Sequence, residues 1–153
     1  MNMNIESLQA SKISVAYRPH IKPSDRLKIS SAQQAYQLVL KAWDKNLIEY
    51  SEQFKIILLN RANKVIGISS ISEGGISSTI VDPKVIFAIA LKTGASAIIM
   101  IHNHPSGNLN PSEADIKLTD RMVKAGKFLD INIYDHLIIS NEGYYSFADE
   151  GLI

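Results

Sequence analysis

A chain of 153 residues is long enough for one ordinary domain and too short for two substantial ones. Its hydrophobic fraction of 46% and charged fraction of 20% are typical of a globular protein and exclude the disordered and fibrous classes. The 16 Lys and Arg residues nearly balance the 15 Asp and Glu residues, and the absence of cysteine excludes disulfides, thiolate metal sites and cysteine nucleophiles.

The first ten residues, MNMNIESLQA, lack the basic start and the apolar stretch of a secretory signal. No apolar run approaches the ~18 residues that a membrane-spanning helix requires. A cysteine-free composition also suits a reducing compartment. The sequence therefore predicts a cytoplasmic protein that does not enter a membrane.

The N-terminal segment differs from the rest of the chain. Residues 1–30 contain two prolines and show no sustained helical or strand periodicity, so they predict an extended arm or edge segment ahead of a single domain at 31–153. From Ser31 onward, apolar residues recur at helical spacing as far as about Lys45, with Ser30 and Ser31 as candidate caps. This pattern predicts the first amphipathic helix.

A β-hairpin is predicted next. The β-rich runs at 53–60 and 65–72 are separated by four residues, 61–64, that favour a turn. Gly74 and Gly75 then break the strand pattern.

The second predicted helix follows a short extended piece at 79–81. It begins at Asp82 and Pro83, since proline suits the first turn of a helix, and it ends at Gly94. The following run at 95–102, ASAIIMIH, is continuously apolar. Such a run is typical of a central strand that is covered on both faces.

The last third of the chain predicts one more helix and two more strands. The helix lies within 112–130, and the strands lie at 131–140 and 144–147 with a turn between them. The predicted buried face of this helix consists of Ile116, Met122, Val123 and Leu129. The whole series predicts the α/β class, with a mixed β-sheet flanked by helices.

The chemically informative residues lie where the apolar strand ends. Residues two apart on an extended segment point the same way, so the imidazoles of His102 and His104 can converge on one ion. Asp115, in the first turn of the next helix, completes a three-ligand zinc set that leaves a fourth position for water. A structural role for the histidine pair stays open, and Ser112 with Asp115 also fits a capping box, which is compatible with metal binding.

At these residues the sequence resembles a known family. The segment HNHPSGNLNPSEAD matches the HxHP…SxxD signature of the JAB/MPN metalloenzymes and is similar to their bacterial RadC-like branch. The resemblance extends from about Ser51 to Ile153, about two-thirds of the chain. It implies a mixed sheet flanked by helices, related to the cytidine deaminase-like fold, and a Zn²⁺ ion held by His102, His104 and Asp115.

The resemblance also implies the roles of two further residues. Glu52 falls at the position of the general base, which residue type alone does not distinguish from Glu49 or Glu73. Ser112 falls at the position of the serine that supports the oxyanion. The implied function is a zinc-dependent hydrolase of metallopeptidase or isopeptidase type with a protein or peptide substrate. Asn103 stands where active peptidases of the family usually carry Ser or Thr. The RadC-like branch shares this departure, which bears on the substrate more than on the metal.

Two other functions stay open. The first is a non-catalytic MPN-type binding module, although scaffold members of the family usually lack the ligands that this chain retains. The second is a DNA-repair-associated protein of the RadC type, in which a DNA-binding helix-hairpin-helix segment precedes this domain. The ~30 residues ahead of the first predicted helix are too few for that segment, and no basic helix supports a nucleic-acid partner.

Three smaller expectations complete the prediction. A deaminase on the related fold requires a cysteine pair, which this chain lacks. His136 is either a partner of the metal site or a structural residue, and His20 is expected at the surface. The sequence specifies no oligomeric state.

Overall fold

The computed structural model describes residues 9–74 and 80–153. Within these ranges five strands form one mixed sheet with three helices packed on its two faces, which confirms the predicted fold class. None of the helices in the described part of the chain combines the length and apolar character needed to cross a bilayer. Residues 1–8 of the predicted arm, Gly75 of the predicted break and Thr79 of the extended piece lie outside the described residues.

The order of the elements closely follows the predicted series. They are α1 (Ala32–Lys41), β1 (Gln53–Leu59), β2 (Val65–Glu73), α2 (Pro83–Thr93), β3 (Ala97–Asn103), α3 (Glu113–Phe128), β4 (Asn132–Ile139) and β5 (Tyr144–Ser146). The strand order is β2-β1-β3-β4-β5, in which β3 and β4 are parallel and every other pair is antiparallel. Because α3 connects the parallel pair, the end of β3 and the start of α3 meet at one edge of the sheet.

The helix ends are set by local hydrogen bonds. Asp82 caps α2 as predicted, and Gly94 ends it with a φ of 68°, a left-handed conformation that glycine adopts without steric cost. Ser31 caps α1, but this helix ends earlier than predicted, at Lys41. The reason lies just beyond it, where the side chain of Asp44 accepts a hydrogen bond from a backbone amide two residues on and so favours a turn over a further helical turn.

The sheet has an apolar core on each face. All residues of β1 and β3 are buried, as expected for central strands covered on both sides. On one face α1 covers the sheet, and the cluster there includes Ala35, Val39, Trp43, Ile57, Leu59, Ile99 and Ile101. On the other face α2 and α3 cover it, and the cluster there includes Phe54, Ile56, Ile86, Phe87, Met100 and Met122.

The predicted buried face of α3 is wrong at two positions. Ile116 is 44% exposed, and Leu129, which follows the last residue of the helix, is 37% exposed. The cause is a close approach at Gly126, where any side chain would lie against the carbonyl oxygen of Ile131. This contact fixes the rotation of α3 about its axis, so the residues that it buries are Thr119, Met122 and Gly126.

A register shift in β4 decides which of its side chains face α3. Consecutive residues of β3 pair with Ile133 and Asp135, so Tyr134 is an extra residue in β4. Side chains alternate along a strand, and the extra residue therefore turns His136, instead of Asp135, to the face on which Ile133 packs. His136 reaches Thr119 of α3 on that face.

Candidate metal centre

Three potential metal ligands lie close together between the end of β3 and the start of α3. His102 lies near the end of β3, His104 follows its last residue, and Asp115 is the third residue of α3. One possible ligand atom from each of these residues lies within 4.8 Å of the others. The structure therefore brings together the three residues that the sequence selects as a metal-binding set.

The distances between the facing atoms suit a small cation. His102 Nε2 is 3.0 Å from His104 Nε2 and 3.2 Å from Asp115 Oδ1, and His104 Nε2 is 3.5 Å from Asp115 Oδ2. In a tetrahedral zinc site with bonds of roughly 2.0–2.1 Å, neighbouring ligand atoms are about 3.3–3.4 Å apart. Two imidazoles and one carboxylate at this spacing therefore fit a zinc ion both in chemistry and in size.

The ring of His104 is oriented by a backbone carbonyl. His104 Nδ1 donates a hydrogen bond to the carbonyl oxygen of Asn108, which only accepts hydrogen bonds. The hydrogen of the neutral ring therefore lies on Nδ1, and the lone pair of Nε2 faces His102 and Asp115. This is the form of imidazole that binds a metal through Nε2.

Asp115 is oriented by the capping box that the sequence indicates. The backbone amide and the hydroxyl of Ser112 both donate to Asp115 Oδ2 at 2.7 Å, and the amide of Asp115 donates back to Ser112 Oγ at 3.1 Å. Oδ1 of the same carboxylate points at His102. Capping and a place in the ligand cluster thus coexist in Asp115, while the predicted oxyanion role of Ser112 stays a prediction.

The electrostatics of the cluster favour a positive charge between its members. Burial raises the pKa of Asp115, but hydrogen bonds to His102 and His104, the charge of His102 and the Ser112 hydroxyl together hold that pKa well below its usual range. The hydrogen bond to Asp115 raises the pKa of His104 against the effect of burial, and the negative charge of Glu52 adds to the rise. The cluster therefore stabilises a cation at its centre, whether a proton or a metal ion.

Glu52 lies immediately before β1. Its negative charge contributes to the raised pKa of His104, and its carbonyl oxygen accepts a hydrogen bond from Gly74. Of the other two candidate bases, Glu49 accepts a hydrogen bond from Asn141 and Glu73 accepts one from the side chain of Gln53. The structure thus places Glu52 within electrostatic reach of His104, and its role as the general base stays a prediction.

Asn103 connects the segment that carries Glu52 to the strand that carries the histidines. Its side chain is fully buried, and Nδ2 donates to the carbonyl oxygens of Ile48 at 2.7 Å and Ser51 at 2.9 Å. Its Oδ1 accepts from the amide of Gln53 at 2.7 Å. The chain is therefore held on both sides of Glu52. The sequence signal was available, because the residue between two histidines on a strand points to the opposite face.

His136 and Thr119 extend the cluster into the protein. His102 Nδ1 lies 2.8 Å from His136 Nε2, and His136 Nδ1 lies 2.7 Å from Thr119 Oγ1. Burial lowers the pKa of His136 well below its usual value, and the charge of His102 lowers it further. Of the two roles that the sequence leaves open for His136, its contacts favour a partner of the site, whereas His20 is exposed as expected.

A polar cleft of about 360 Å³ opens against the outer side of His104. The loop after β3, the segment before β1 and the turn between β4 and β5 form its walls, which include Ile48, Glu49, Pro105, Ser106, Asn141 and Glu142. The cleft gives the His104 side of the cluster an approach from solvent.

Comparison with known proteins identifies related chains. A family model described as RadC-like JAB domain matches residues 20–152. The chain is 50% identical over 101 residues to a UPF0758 protein of Flavobacterium johnsoniae, covering 66% of this chain and 44% of the relative. It is 48% identical over 103 residues to one of Porphyromonas gingivalis, covering 67% and 45%. It is 40% identical over 132 residues to one of Clostridium kluyveri, covering 86% and 57%, so the chain spans about half the length of these relatives.

Proposed function

The chain belongs to the RadC-like JAB domain family, and from this premise we propose that it is a zinc-dependent hydrolase that cleaves an amide or isopeptide bond in a protein or peptide substrate. One observation carries the proposal, namely the convergence of His102, His104 and Asp115 at the spacing of metal ligands. The charge balance supports it, because an ionised carboxylate and two imidazole nitrogens face a common point.

In this proposal His102, His104 and Asp115 hold the ion. A bound zinc ion lowers the pKa of water and polarises a carbonyl group. Glu52 accepts the proton of the attacking water and then donates it to the leaving amine, as a general base followed by a general acid. Asn103 keeps Glu52 in place through its hydrogen bonds to the flanking backbone.

Ser112 supports the oxyanion in the proposed reaction. In the structure Ser112 Oγ donates a hydrogen bond to Asp115 Oδ2 at 2.7 Å. The hydroxyl must therefore turn away from Asp115 when a substrate binds, while the amide of Ser112 continues to hold the carboxylate. The polar cleft beside His104 is the proposed approach for the substrate chain.

The decisive experiment separates metal binding from turnover. We expect the wild type to hold one zinc ion per chain after zinc-replete expression, measured by elemental analysis, and to cleave members of a peptide or isopeptide library. Glu52→Gln should keep the zinc and lose about 10²–10⁴-fold in turnover, the usual contribution of a general base. The matched control is Glu73→Gln, an exposed upstream carboxylate, which should keep both properties.

Two outcomes would count against the proposal. A wild type that binds zinc stoichiometrically but cleaves nothing in either library contradicts hydrolysis. A wild type that binds no zinc contradicts the metal centre and favours the non-catalytic binding module instead.

A further inference from the structure

We propose that His136 and Thr119 are positioning residues that keep the hydrogen of the His102 ring on Nδ1 and so leave Nε2 bare for a metal ion. The inference rests on the proposed function for its metal-binding consequence, whereas the hydrogen assignment itself is a property of the metal-free protein. The contacts that carry it form one chain of hydrogen bonds from His102 to the backbone of α3.

The contact between the two rings has two possible directions. Either His102 Nδ1 donates to His136 Nε2, or His136 Nε2 donates to His102 Nδ1 across the same 2.8 Å. In the second case the hydrogen of a neutral His102 lies on Nε2 and points at Asp115 Oδ1, 3.2 Å away. In that arrangement Nε2 of His102 has no free lone pair for a metal ion, so the direction of this one hydrogen bond decides whether His102 is ready to bind a metal.

Thr119 decides the direction. Its hydroxyl has one hydrogen, and Oγ1 lies 2.7 Å from the carbonyl oxygen of Asp115, which only accepts. With its hydrogen donated to that carbonyl, Thr119 Oγ1 accepts a hydrogen bond from His136 Nδ1 at 2.7 Å. Because His136 is completely buried, the charged form of its ring is disfavoured, so the second nitrogen, Nε2, carries no hydrogen and accepts one from His102 Nδ1.

The surroundings of His136 prevent the ring from turning. It has no exposed surface, and it stacks on Phe147 with ring centroids 4.8 Å apart and an angle of 18°. Phe54 contacts it from another side at 5.7 Å. The register shift at Tyr134 brings the ring to this position, so the partner of His102 is fixed by the packing of β4 and α3.

The first experiment observes the hydrogen positions directly. Nitrogen NMR of isotopically labelled histidine in the metal-free wild type should show His136 with its hydrogen on Nδ1 and a bare Nε2. A His136 ring with its hydrogen on Nε2 would overturn the inference. This measurement requires neither zinc nor a substrate, and it needs no variant that could fail to fold.

The second experiment measures zinc affinity by competition with a chelator. His136→Leu removes the acceptor for His102 and should weaken zinc binding about 10–100-fold, the usual cost of losing a partner of a ligating histidine. His136→Gln should retain most of the affinity, because an amide oxygen can accept the same hydrogen bond. His20→Leu is the control, since His20 is exposed and lies outside the site.

Thr119 offers a subtler pair of variants. Thr119→Val has nearly the same shape but lacks the hydroxyl, and it should shift part of the His136 population to the form with hydrogen on Nε2. Thr119→Ser restores the hydroxyl and should restore the wild-type spectrum. Identical His136 spectra for wild type and Thr119→Val, together with wild-type zinc affinity in His136→Leu, would overturn the inference. A wild type that binds no zinc would instead refute the metal centre, and the spectrum would still decide the hydrogen assignment.

Discussion

The two histidines of the cluster lie in different surroundings. The side chain of His102 is 2% exposed and is backed by His136 and Thr119, whereas the side chain of His104 is 17% exposed and lies against the polar cleft. The inner histidine is held by side chains from β4 and α3, and the outer one by a carbonyl in its own loop. One side of the cluster is therefore fixed by packing, and the other side opens to solvent.

Asp115 contacts both sides, so its removal should have the largest effect. Asp115→Asn keeps the shape but removes the charge that faces both imidazoles. We expect a loss of zinc affinity greater than about 100-fold, more than the loss of an orienting partner costs. Chelator competition measures it, and Glu113→Gln, an exposed residue of the same helix turn, is the control. Wild-type zinc affinity in Asp115→Asn would show that the carboxylate of Asp115 does not bind the metal.

The residue between the two histidines should have the next largest effect. Asn103→Leu leaves the carbonyls of Ile48 and Ser51 and the amide of Gln53 without their present partner. The expected loss in the free energy of unfolding is about 3 kcal/mol, since each buried polar group left unpaired costs about 1–3 kcal/mol. Urea unfolding measures it, with Asn110→Leu at an exposed position as the control. A near-neutral Asn103→Leu would show that this segment does not depend on the side chain.

How far the sequence predicts this arrangement depends on the range of the contacts. The alternation of residues along an apolar strand was enough to predict that His102 and His104 lie on one side. The capping pattern was enough to predict the orientation of Asp115. Of the two residues behind His102, the sequence left the role of His136 open and did not indicate Thr119. His136 faces the site only because Tyr134 is an extra residue in β4, and Thr119 faces it only because of the close approach at Gly126.

The same limit explains the errors in the helices. Ile116 is apolar and at helical spacing, yet the rotation of α3 that Gly126 imposes leaves it half exposed. The end of α1 depends on a side-chain hydrogen bond of Asp44, a local signal that competes with the helical periodicity of the apolar residues. Periodicity therefore predicted the existence of both helices, but it missed the end of α1. Of the predicted buried face of α3, it was right for Met122 and Val123 and wrong for Ile116 and Leu129.

The comparison of the two histidines also predicts a difference in stability. His102→Ala in the metal-free protein opens a cavity beside the buried ring of His136, whereas His104→Ala trims a partly exposed side chain. We expect His102→Ala to unfold about 2 kcal/mol more easily than His104→Ala, because large-to-small changes cost most in packed surroundings. Both variants should lose zinc binding. Equal stabilities in urea would show that the inner and outer sides do not differ in packing.

Zinc affinity should depend on pH through the outer histidine. The hydrogen bond to Asp115 raises the pKa of His104, so this ring takes up a proton at a higher pH than an ordinary histidine. A protonated imidazole cannot bind a metal, and affinity should fall about tenfold per pH unit below that pKa for each proton released on binding. The folding stability of the metal-free protein depends on pH in the opposite direction from zinc affinity. The stability that His104 contributes is present at low pH and is lost as the pH rises through the raised pKa.

Asp115→Asn provides the control for this pH dependence. It removes the principal cause of the raised pKa of His104, so His104 should titrate at lower pH and contribute less pH-dependent stability to the metal-free protein. Nitrogen NMR titration of His104 measures the shift directly. A His104 that titrates at the same pH in wild type and Asp115→Asn would show that the carboxylate does not act on it.

Ser112→Ala should give the smallest change in stability and the clearest separation of its two roles. The variant loses the hydroxyl that caps α3 but keeps the backbone amide that donates to Asp115 Oδ2. Loss of an N-cap hydroxyl costs about 0.5–2 kcal/mol, typically about 1 kcal/mol, in the free energy of unfolding. Ser31→Ala removes the corresponding cap of α1, far from the cluster, and is the matched control. If Ser112 also supports the oxyanion, Ser112→Ala lowers turnover well beyond the change seen in Ser31→Ala at equal zinc content; equal turnover in the two variants assigns Ser112 to the cap alone.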